Sequence, residues 1–168
     1  MKRIFSALIL LSLITALLTG CGLREPRPEI KEGEFNFSVT YELHGEVTTL
    51  TGVYVCEFDG IDWVLDGGYY RDWSGYIKGG APEECITLET AADGGIVELC
   101  LFFYPGHFMG DNYWEGEEPF MPQMSVRIYG EGLSFENDQE LIAEVYGAKI
   151  ISYEYDPPIE NTFTPIFD

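Results

Sequence analysis

Apolar and polar residues alternate along most of the chain. In FNFSVTYEL, Phe35, Phe37, Val39, Tyr41 and Leu43 take every second place, with Asn36, Ser38, Thr40 and Glu42 between them. Side chains on a strand point alternately to its two faces, so this period predicts a strand with one buried and one wet face. His44-Gly45 then predicts a tight turn into the β-branched run EVTTLTGVYVCEF, residues 46–58, and hence a hairpin. Further strands are expected at DWVLDG (62–67), CITLET (85–90), IVELCLFFY (96–104), MSVRIYG (124–130) and AKIISYEY (148–155), before Pro157-Pro158 ends the series. Short strands between Gly, Asp and Pro turns predict one mainly β domain over residues 35–168, an antiparallel β-sandwich or a barrel-like relative.

One segment departs from period two. NDQELIAEVYG sets Leu141, Ile142, Val145 and Tyr146 on one helical face, with Asn137 as N-cap, Glu140 three residues on, and Gly147 as the stop. A short helix of about nine residues is expected there, near the C-terminus and packed on the sheets.

The first twenty residues carry another pattern. Lys2 and Arg3 precede an apolar run from Ile4 to Leu18, broken only by Ser6, Ser12 and Thr15. Such a run is short for a membrane span but suits the core of a secretory signal peptide. Leu18-Thr19-Gly20-Cys21 resembles the lipobox of bacterial lipoproteins, in which the cysteine sulfur receives a diacylglycerol and the chain is cut just before it. The resemblance implies that residues 1–20 are removed and that Cys21 becomes a lipidated N-terminus. Two acyl chains with roughly 14 buried methylenes each, at about 0.8 kcal/mol per methylene, give on the order of 20 kcal/mol of gross anchoring. The expected location is the extracytoplasmic face of the cell membrane, in the envelope. The expected partner at this end is the membrane, through the lipid on Cys21.

Gly22 to Glu34 holds two prolines, mixed charge and few aliphatic residues. With Cys21 it is expected to form a lipidated N-terminus and flexible tether over residues 21–34, whose 13 residues after the cysteine reach roughly 40 Å if extended. Beyond the tether, Arg71, Lys78, Arg127 and Lys149 stand against 25 acidic residues, a net charge of −21. So acidic a body is repelled by nucleic acid and by anionic lipid, and its natural charge partners are cations, cationic peptides or basic proteins.

FSVTYELHGE, GVYVCEFDG, YYRDWSGYI, HFMGD and YGAKIISYEYDPPIENTF resemble a group of small lipoproteins of gut-dwelling Firmicutes, over most of residues 33–163. The resemblance implies the envelope address. No activity is assigned to that group, so it transfers no catalytic or binding residue.

Candidate chemistry rests on the residues themselves. The loop at 104–123, YPGHFMGDNYWEGEEPFMPQ, gathers His107, Asp111, Glu115, Glu117 and Glu118 around Phe108, Tyr113, Trp114 and Phe120, and loops of this length are often functional. His107 and Asp111 suit a metal by type, but no ligand spacing of a recognised zinc or calcium site is present. Tyr113 and Trp114, joined by Trp73 and Tyr76 from YYRDWSGY, make a platform for a sugar ring or a peptide side chain if they face solvent, and a lid on the core if they fold back. The expected binding residues are therefore His107, Asp111, Tyr113, Trp114, Glu115 and Trp73. Asp59, Asp62 and Asp66 in FDGIDWVLDGG lack the EF-hand order and read as turn residues.

Apart from Cys21, the cysteines are Cys56, Cys85 and Cys100. They permit one bridge in any of three pairings, and the apolar setting of each favours three buried thiols. No GxSxG, phosphate loop, HExxH or cofactor motif is present. A binding or envelope-associated module that takes a peptide, glycan or basic protein is the leading expectation. The alternative is a hydrolase of envelope or dietary glycans using Asp111, Glu115 or Glu117, and two carboxyl groups set about 5 to 10 Å apart in a cleft would favour it.

Overall fold

The computed structural model describes residues 26–64, 68–80, 85–111, 118–129 and 133–164. In chain order the strands are β1 (Arg27–Pro28), β2 (Glu32–Leu43), β3 (Glu46–Val64), β4 (Gly68–Ile77), β5 (Cys85–Thr90) and β6 (Ile96–Phe103), after which comes a one-turn helix α1 (Pro105–Phe108). Then follow β7 (Phe120–Tyr129), β8 (Leu133–Glu136), helix α2 (Gln139–Tyr146), β9 (Ala148–Tyr155) and β10 (Phe163–Thr164). Two four-stranded antiparallel sheets result, ordered β4-β3-β2-β9 and β5-β6-β7-β8, with β1 and β10 paired in a separate ribbon. Neither sheet closes into a barrel, so the sandwich is the form taken. Among the described residues, no helix is long and apolar enough to cross a membrane.

The alternation works as expected at the core. Phe35, Phe37 and Val39 of β2 and Tyr54 and Cys56 of β3 pack against Val97, Leu99 and Leu101 of β6 and Phe120, Met124 and Val126 of β7. Gly52 lies directly across from Phe37, and a Cβ there would stand 2.6 Å from the Phe37 ring. The missing side chain lets that ring lie over β3 and reach Phe103 and Phe120, with ring centroids 5.1 and 5.5 Å away.

The hairpin forms at its expected place: Leu43 pairs with Glu46, and His44 (φ 52°) and Gly45 (φ 87°) take the positive φ angles that a two-residue turn of the I′ kind demands. The helix also forms, one residue shorter than expected and capped by Asp138 instead of Asn137. Asp138 accepts from the N–H groups of Glu140 and Leu141, and Gly147 closes the helix at φ 62°. Only Ile142 of its apolar face is buried, while Leu141 and Val145 stay exposed.

Other expectations are corrected. Residues 46–58 and 62–64, expected in two strands, belong to one: Asp59-Gly60 is a bulge instead of a turn, with an extra residue absorbed between Phe58 and Gly60 while pairing to β4 resumes beyond it, and residues 65–67, Asp66 among them, lie outside the described residues. YYRDWSGY is itself strand β4, concealed by its charged and glycine positions. The cysteines are not three thiols: Cys85 and Cys100, opposite one another on β5 and β6, form a disulfide, and Cys56 alone is free and buried.

The expected tether is corrected as well. Residues 26–34 are bound to the body. Glu32 opens β2, β1 pairs with β10, and Glu29 donates to the Thr162 carbonyl. Asn161 bridges Ile30, accepting from its N–H at 3.1 Å and donating to its carbonyl at 2.8 Å. Proline and mixed charge signal weak local structure, and they do not register backbone partners 131 residues away.

Candidate functional site

The end of the sandwich away from the His44-Gly45 turn carries a cluster that the fold assembles from several of the expected site residues. Strand alternation turns Arg71 and Trp73 of β4 inward together. Opposite them, α1 starts at Pro105, and its last residues, His107 and Phe108, are buried together with Met109 just beyond it. Gly110 (φ 71°) then reverses the chain. A Cβ at Gly110 would stand 2.6 Å from the Ile159 carbonyl, so the backbone approaches the C-terminal segment as only glycine permits. The turn delivers Asp111 to Arg71.

Asp111 is buried, and both its oxygens are taken. Arg71 donates through Nε to Oδ2 and through Nη2 to Oδ1, each at 2.6 Å, and Trp73 Nε1 donates to Oδ2 at 2.9 Å. The side chains of Arg71 and Asp111 are 13% and 6% exposed, so the fork-on-carboxylate geometry operates away from water, where it is strongest. Arg71 also reaches the Pro26 carbonyl through Nη1 at 3.4 Å, and its guanidinium lies 4.3 Å from the centre of the Phe163 ring. One cation thus touches the first described residue, β10 and the turn after α1.

The expected binding residues separate on this framework. Asp111 and Trp73 do meet, but as partners of Arg71, and Trp73 packs edge-on to Phe58. Trp73 and Tyr76 sit an odd number of places apart on β4, so they face opposite sides and share no platform. His107 is buried beside the Tyr104 ring, 5.7 Å between centroids, and its Nε2 has no hydrogen-bond partner among the described residues. Tyr113, Trp114 and Glu115, like Cys21 and the leader, lie outside the described residues. Among the described residues no three His, Cys, Asp or Glu side chains converge as a metal site would require.

Ionisation is perturbed at a few places. Burial pushes the Cys56 thiol up to about 12, which keeps it an unreactive core group. Desolvation and the carboxylates of Asp62 and Asp72 raise the Tyr70 phenol. A hydrogen bond to Glu118, 2.9 Å long, raises Tyr153 and ties the return of the long loop to β9.

Two hollows open elsewhere. One of about 470 Å³ lies across β9, β2 and β3, open to solvent, with Asn36, Ser38 and Asp156 beside Phe37, Val53 and Tyr155 in its lining. The other, about 500 Å³, lies between the sheets where Leu50, Ile77 and Ile86 meet.

Arg71 was missing from the expected site. It is one of only four basic residues after residue 34, and it shares a face with a tryptophan in an aromatic stretch. A scarce cation at an inward strand position signals a buried acid partner. No family model, curated protein or solved structure matches the chain.

Proposed function

We propose that the chain is a lipoprotein anchored through Cys21 on the extracytoplasmic face of the cell membrane, where its β-sandwich serves as a binding or envelope-associated module. The observation that carries this reading is the state of the cysteines. Cys85 and Cys100 are joined, as is usual for proteins outside the reducing cytoplasm. Cys56 is buried with its thiol raised. Of the four cysteines, Cys21 is the one left for modification, and it stands where the Leu-Thr-Gly-Cys pattern puts it.

The open hollow across β9, β2 and β3, lined by polar and apolar side chains alike, suits a peptide or glycan ligand better than a buried reaction centre. Asp111, one of the carboxylates that a glycan hydrolase would use, is engaged by three N–H donors. Expression with labelled fatty acid tests the anchor. The wild-type chain is expected to take up label and to fractionate with membranes, and Cys21→Ser to take up none and to be either uncleaved or released. Equal labelling of the two would overturn the reading.

A further inference from the structure

We propose that the β1–β10 ribbon and Arg71 together decide which end of the domain faces the membrane, holding the Arg71–Asp111 end against the lipid head groups. The inference rests on lipidation of Cys21. Only Gly22, Leu23, Arg24 and Glu25 separate Cys21 from Pro26, and from Pro26 onward the backbone is fastened. Arg71 holds the Pro26 carbonyl; Arg27 and Pro28 pair with Thr164 and Phe163; Glu29 and Ile30 are bound to Thr162 and Asn161; and Phe58 donates to the Lys31 carbonyl at 2.8 Å.

The reach follows from these contacts. Five extended steps from Cys21 to Pro26 span at most about 17 Å, against roughly 37 Å were the chain free as far as Glu32. From the same end, the 12 residues of β2 run away, about 40 Å of strand. The leash is less than half as long as the body it holds. The face carrying Arg71, α1 and residues 157–163 therefore abuts the lipid, and the His44-Gly45 hairpin and the turn at Asp93-Gly95 project outward.

The full lipidated chain in phosphatidylcholine vesicles tests this, with an exposed position at each end changed to cysteine, Glu160→Cys or Glu46→Cys, and labelled with a fluorophore. Cys56 is buried and Cys85 is bonded to Cys100, so the label goes to the new thiol. A short-range nitroxide on the lipid head group is expected to quench the residue-160 label several-fold more than the residue-46 label. Inserting 12 Gly and Ser residues after Leu23 leaves every fastening contact in place and adds about 20 Å of coil, and the residue-160 quenching is expected to fall at least about twofold. Equal quenching at both ends, or quenching unmoved by the insertion, would overturn the orientation while leaving the anchor standing. The intact mass separates the two claims: a chain lacking the mass of a diacylglycerol on Cys21 would overturn both.

Discussion

Two side-chain pairings at opposite ends of the sandwich span similar stretches of sequence and differ in almost everything else. Arg71 and Asp111 are 40 residues apart, His44 and Glu89 are 45 apart. The first pair is nearly sealed from water, with a tryptophan N–H on the same carboxylate. In the second, the histidine side chain is 59% exposed and its Nε2 lies 2.9 Å from the Glu89 carboxylate. Burial, and not distance along the chain, makes the difference. At the His44 end water replaces a lost partner, whereas at the Arg71 end nothing does, and the segments that meet there depend on the pair.

Removing one partner of the buried pair is the strongest way to test that contrast. Asp111→Ala leaves an inward guanidinium without its carboxylate, and a loss of about 3–5 kcal/mol is expected in urea unfolding. The double change Arg71→Met with Asp111→Leu is expected to restore much of it, since it removes the stranded charge. A single variant costing under 1 kcal/mol would place the pair with the exposed ones.

The disulfide lies between the extremes. It joins residues 15 apart, and a loop of that length corresponds to about 3 kcal/mol of unfolded-state restriction. Cys85→Ala with Cys100→Ala is expected to lower stability by roughly that amount, with β5 losing amide protection first because it is the edge strand of its sheet among the described residues. Protection unchanged in β5 would show that the hairpin holds without the bridge.

At the exposed end the effects shrink. Glu89→Ala is expected to cost less than about 1 kcal/mol, since water replaces the lost partner at so exposed a position. Asp93 sharpens the point through pH. The Gly95 N–H and the Tyr146 hydroxyl lower its pKa below the ordinary aspartate value. Its contribution is therefore present above that ordinary value and is lost as pH falls through the lowered one. Thermal melts across the acid range are expected to show Asp93→Asn slightly less stable at neutral pH and converging on wild type in acid. A gap that widens on acidification would reverse the sign.

What was legible in the sequence was local. Side-chain alternation marks β2, the β-branched content of residues 46–58 marks β3, and His44-Gly45 and Gly147 mark a turn and a helix stop, because each depends on the conformational preferences of adjacent residues. Short charged or glycine-broken strands escaped for the same reason: β4 and β8 owe their form to the neighbour each one pairs with. Tertiary structure alone decided that Pro26 to Lys31 is fastened, that Asp111 serves Arg71 in place of a ligand, and that Cys85 meets Cys100. Each of these depends on two segments arriving at one point in a chosen register. The chain encodes that register only in the whole set of contacts, since a shift of one residue would turn Arg71 and Trp73 outward together and leave Asp111 without a partner.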